Sequence, residues 1–88
     1  MLKTNQSSTI QAANTKIVVM LSEFEYAHFE QHSPVRVDQF NSQCKQIEDS
    51  LFLVPHTKRA LVAIRRAKNA CFWEEALKHL AQAEKETR

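Results

Sequence analysis

His28 and His32 stand one helical turn apart, a spacing that lets two imidazoles share a metal ion. A zinc site needs further ligands, and the sequence suggests no third one nearby. The HExxH pattern of helical zinc proteases is missing as well. Both residues therefore read as ordinary helix-end histidines, and His56 and His79 have no partner identifiable from sequence. Nucleophilic catalysis needs a Ser or Cys with an oriented base and an oxyanion site. No motif joins this chain's serines, cysteines and histidines in that way. Glu23 and Glu25 are two residues apart, so a helix would place them on different faces rather than as a carboxylate dyad. The chain contains no glycine, which rules out the glycine-rich loops that cradle nucleotide phosphates. The expectation is a non-enzymatic protein with no catalytic residues, metal or cofactor.

Cys44 and Cys71 lie far apart within helical patterns and read as buried, reduced thiols, with a disulfide or a reactive thiol as the alternative. A basic run is more informative. Lys58, Arg59, Arg65, Arg66 and Lys68 occur with no acidic residue between Thr57 and Asn69. On a helix, Lys58, Arg59, Arg65 and Arg66 fan around Val62, opposite the apolar positions. Such a face is either simply solvated or contacts phosphates or an acidic partner. No aromatics are interleaved for base stacking.

These residues need helices to position them. The chain's 88 residues allow one domain. Apolar residues at 43% and charged residues at 25% argue against disorder, and a formal charge of +2 does not demand an anionic partner. Without glycine, and with proline only at 34 and 55, tight β-hairpin turns are disfavoured. No stretch approaches the roughly 18–20 apolar residues of a membrane span. The polar N-terminus lacks the apolar core of a signal peptide, so a cytoplasmic location is expected.

Residues 1–8 are expected to form a flexible polar tail and residues 9–88 a single helical domain. Ser8 or Thr9 is placed to cap a helix with Ile10, Ala13, Ile17, Met20, Phe24 and Ala27 alternating by three and four. A short strand over Ile17 to Leu21 is the alternative. The Gln31–Pro34 segment stops that helix, and Ser33 before Pro34 suits a new start. Val37, Phe40, Cys44, Ile47 and Leu51 then repeat the pattern until Val54-Pro55. Two matched seams joined by a short loop predict an antiparallel hairpin. Thr57 is placed to cap a third helix, with Ala60, Leu61, Ile64 and Ala67 inward. A break around Asn69 to Phe72, with Asn69 left-handed, would start a fourth helix carrying Glu74 and Glu75 in its first turn and burying Trp73, Ala76, Leu77, Leu80 and Ala83 to varying degrees. One continuous helix from Thr57 to Lys85 is the rival.

In residues 58–85, Trp73, Ala76, Leu80 and Ala83 follow the aromatic and alanine spacing of a tetratricopeptide repeat's second helix, with Leu80 at an aromatic position. Ala60, Ala63 and Ala67 match packing positions of its first helix. The stretch thus resembles a single tetratricopeptide-like helical hairpin, which implies a protein-binding role completed by neighbouring helices or a partner. It departs from the family at Ile64, where a small residue is usual, at Cys71, where the turn glycine stands, and in lacking the terminal proline.

The first helix also carries a second apolar sector, Val18, Val19, Tyr26 and Phe29, beyond its seam. A helix in a monomer usually has one apolar stripe. The sector is either covered internally or, together with Trp73, offered to a partner. The fold expected is all-α, an antiparallel helical hairpin followed by one or two further helices. The function expected is a protein-interaction module (adaptor, small chaperone or regulatory subunit) binding another protein or a second copy of itself, with the heteromer favoured. The alternative is a nucleic-acid-binding regulator using Lys58, Arg59, Arg65 and Arg66.

Overall fold

A computed structural model describes the backbone of residues 2–26 and 34–88, and the side chains of residues 8–24 and 36–88. Four helices follow in order: α1 (Leu2–Tyr26), α2 (Pro34–Leu51), α3 (Lys58–Asn69) and α4 (Trp73–Glu86). Among the described residues there is no strand, so Ile17 to Leu21 is helical. α1 also runs back through residues 2–8, where a tail is expected, and Ser8 and Thr9 are interior rather than capping. Once a helix is nucleated, each added residue gains a hydrogen bond, and no proline precedes Pro34 to stop the propagation. Pro34 is the first residue of α2, where its missing N–H costs nothing.

The helices form a ring in which α1 touches α2 and α4, and α3 touches α2 and α4. Each neighbour runs antiparallel. Phe24, late in α1, meets Phe40 early in α2 with ring centroids 5.2 Å apart, edge to face. Trp73, which opens α4, meets the same two rings at 5.7 and 5.2 Å. At the opposite end of the α1–α4 seam, Asn14 reaches Glu84 and Thr87. The result is an up-down-up-down bundle 44 Å long and 19 Å across.

The core follows the three-four spacing. Ala13, Ile17, Met20 and Phe24 from α1 and Phe40, Cys44, Ile47 and Leu51 from α2 are buried. α3 contributes Ala60, Ala63, Ile64 and Ala67, and α4 contributes Ala76, Leu80 and Ala83. The alanines keep α3 and α4 close, and Ile64 and Leu80 fill the centre. Val37 departs from its expected seam position. It lies in the first turn of α2, at the end of the bundle, and is exposed.

Two joints are built differently from expectation. Thr57 precedes α3, but its side chain makes no N-cap bond. Its hydroxyl instead donates towards the carbonyls of Leu51 at 3.0 Å and Val54 at 2.8 Å, closing the C-terminal end of α2. The α3–α4 break uses no left-handed Asn69. Asn69 is the last residue of α3, and extended Ala70 (φ −66°, ψ 140°) and Phe72 (φ −116°, ψ 141°) turn the chain. The left-handed position falls at His56, with φ 66°, in the α2–α3 loop.

Candidate interaction surface

On α1, the buried seam leaves an opposite face formed by Ser8, Gln11, Ala12, Thr15, Val18, Val19 and Ser22, all exposed. At 100° per residue, Thr15 and Ser22 lie at its centre, with Val18 and Val19 on either side. Both valines are 48% exposed. Lys16 and Glu23 are the charged residues on the described exposed side of α1, and both lie along one flank. The remaining helices follow the ordinary rule of a charged outer face: α2 exposes Asp38, Lys45 and Asp49, α3 its arginines, and α4 Glu74, Glu75, Lys78 and Lys85.

The rest of the expected apolar sector divides. Tyr26 ends α1, but its side chain lies outside the described residues, and so does the whole of Phe29. His28 and His32 lie outside them too. Trp73 does not stand apart as a partner contact. It packs on Phe24 and Phe40, and its indole Nε1 donates to the Phe24 carbonyl at 3.3 Å. A partner can reach only its remaining edge, which lines a groove of about 580 Å³ with Val37, Cys71 and Phe72.

The basic residues of α3 also divide. Lys58, Arg59, Arg65 and Arg66 are all exposed around Val62, as the wheel predicts. Arg65 and Lys68, however, both bind the carboxylate of Glu48 on α2, Lys68 at 2.9 Å. Hydrogen bonds from Arg65 and Lys68 hold the Glu48 carboxyl below its usual range. Lys58, Arg59 and Arg66 have no such partner among the described residues. These three line a second groove, of about 490 Å³, with Val62, Ala63, His79, Gln82 and Glu86.

Sequence periodicity misses three exposed apolar residues: Phe52 and Leu53 in the α2–α3 loop, and Phe72 in the α3–α4 turn. Leu53 is 87% exposed and Phe72 72%. A signal was present in Leu51 to Val54, an apolar run ending at Pro55. A helix terminus can turn only one side inward, and Leu51 takes it. Cys44 is buried, and desolvation pushes its thiol up to about 12, so it is no nucleophile at neutral pH. Cys71 is exposed, contrary to its expected burial, because the turn places it outside both helices. Among the described residues, no three His, Cys, Asp or Glu side chains gather as a metal set, and no helix is long and apolar enough to cross a membrane. No family model matches the chain, and neither a curated protein nor a solved structure does.

Proposed function

We propose that this protein is a non-enzymatic interaction module of the cytoplasm, an adaptor or regulatory subunit, and that the outer face of α1 is its contact surface. The observation that carries this reading is the strip formed by Ser8, Gln11, Ala12, Thr15, Val18, Val19 and Ser22, which holds no charged side chain, with Lys16 and Glu23 confined to one flank and Val18 and Val19 half-exposed. Small and β-branched side chains let a second helix approach closely, the absence of charge spares the larger cost of desolvating ions, and the Ser, Thr and Gln side chains can hydrogen-bond across the contact. The tetratricopeptide-like spacing of α3 and α4 supports a protein-binding role of the same kind.

The occupant is a helix of a larger partner protein rather than a second copy. The face is about 21 Å long and about 10 Å wide, on the order of 200 Å². A stable interface takes about 800 Å² from each side, so α1 paired with itself falls far short. A partner that packs on α1 and extends over neighbouring surface supplies the difference.

Photo-crosslinking tests this. A benzophenone amino acid at Thr15 or Ser22, expressed in the native cell, should yield a defined adduct with another protein. Val18→Asp with Val19→Asp should abolish that adduct while circular dichroism stays helical. An adduct of the chain with itself assigns the face to a second copy, and an adduct untouched by the double substitution removes the face from the function.

A further inference from the structure

We infer that the groove between α3 and α4 is a docking site for an acidic, amphipathic segment of a protein. It is independent of the α1 face, since α1 and α3 occupy opposite corners of the bundle.

The groove's composition defines its ligand. Lys58, Val62 and Arg66 follow one another at single-turn steps along α3, with Arg59 beside them. His79, Gln82 and Glu86 form the facing wall on α4 at steps of three and four. Because the helices are antiparallel, Glu86 stands at the Lys58 end and His79 at the Arg66 end. Ala63 is buried at the floor, and Val62 is 36% exposed. Lys58, Arg59 and Arg66 carry no ion pair or hydrogen bond to a described residue, whereas Arg65 and Lys68 on the same helix are both engaged by Glu48. α3 thus separates its cations into a pair that shares the Glu48 carboxylate on the α2 side and a trio on the α4 side with no carboxylate partner among the described residues. Three free cations around an apolar floor complement carboxylates spaced around an apolar side chain.

Nucleic acid fits less well. A phosphate backbone gains from an unbroken cationic track. Here Glu86 interrupts one wall, Glu48 offsets part of the adjoining positive charge, and exposed Glu74 and Glu75 lie in the first turn of α4. A peptide segment can place its own polar or basic residue opposite Glu86, which a uniform polyanion cannot.

The test uses fluorescence anisotropy with the full chain and three labelled probes. These are a helical peptide of about fourteen residues repeating Glu-Glu-Leu-Leu, the same peptide with Gln for every Glu, and a duplex DNA of about twenty base pairs. The acidic peptide should bind roughly tenfold or more tighter than its Gln counterpart, equivalent to about 1.4 kcal/mol. Arg59→Glu with Arg66→Glu should remove that preference and confer binding to a Lys-Lys-Leu-Leu peptide, a gain that a merely unfolded variant cannot show. Val62→Asp should also weaken the acidic peptide, and Val18→Asp with Val19→Asp should not. Equal affinity for the Glu and Gln peptides overturns the proposal. So does tighter binding of the duplex, or no acidic-peptide binding at about millimolar concentration.

Discussion

The indole Nε1 of Trp73 donates to the main-chain carbonyl of Phe24 at 3.3 Å, so the first residue of α4 is fastened to the last described turn of α1. The same indole packs against the Phe24 and Phe40 rings, so three helices meet at one side chain.

Trp73→Phe keeps most of the packing and loses the donor. It should cost roughly 1–2 kcal/mol by urea denaturation. Phe40→Ala, which empties a fully buried position, should cost about 3–5 kcal/mol. Equal effects would mean that the indole hydrogen bond, not the aromatic cluster, holds this end together.

At the other end of the α1–α4 seam, acid should loosen the protein. Hydrogen bonds from Arg88 and Asn14 hold the Glu84 carboxyl at about 2, against an ordinary 4.5. A carboxyl lowered by folding contributes stability above its unfolded pKa and loses it as pH falls through the folded one. The loss should therefore run from about pH 4.5 down to about pH 2. Glu84→Gln should flatten the acid limb of thermal melts over that range. Glu48→Gln should act in the same direction, since Arg65 and Lys68 lower its carboxyl. Melts of Glu84→Gln that keep the full acid slope would contradict this.

His56 holds φ at 66°, where a Cβ is crowded. His56→Gly should raise stability by roughly 0.5 kcal/mol, the relief being partly offset by greater freedom in the unfolded chain. His56→Val should lower it by about 1–2 kcal/mol, because a β-branched side chain tolerates that region least. Chemical denaturation of the two variants gives both numbers.

The thiols should separate cleanly. Cys71 is exposed and should react with a thiol reagent in the native protein, whereas Cys44 is buried with its thiol pushed up to about 12. Mass spectrometry should show one adduct per native chain and two in denaturant. Native modification of Cys44 would show that the α2 seam opens readily.

The α-helical class and most of the core were legible in the sequence, because one period governs them. Ile17, Met20, Phe24, Phe40, Cys44 and Ile47 follow the three-four alternation into the interior. Partner choice was not legible. Arg65 looked equivalent to Arg66 until α2 brought Glu48 to it from seventeen residues away. Trp73 read both as part-buried on α4 and as offered to a partner, and the fold shows its indole N–H donating to Phe24, forty-nine residues away, with one edge left in the groove. Thr57 had the right type and place for an N-cap, but its hydroxyl is oriented back to donate to the Leu51 carbonyl at the end of α2 and the Val54 carbonyl in the loop, and accepts from no α3 N–H. The α1 face was legible only at its valines, because the absence of charge between them becomes informative once the buried side is known.

Three of the four helix seams join helices consecutive in the chain, and the fourth, α1 to α4, joins residues 70 apart at Asn14 and Glu84. Consecutive antiparallel helices find one another through short loops, so α1–α2, α2–α3 and α3–α4 pairing is kinetically cheap. Closing the ring carries the largest loop entropy and is expected to come last. The Asn14–Glu84–Thr87 cluster is therefore expected to form after the folding transition state, as a latch whose strength sets how slowly the bundle opens rather than how fast it assembles. A covalent tether across that seam would lengthen the native lifetime and leave the refolding rate almost untouched.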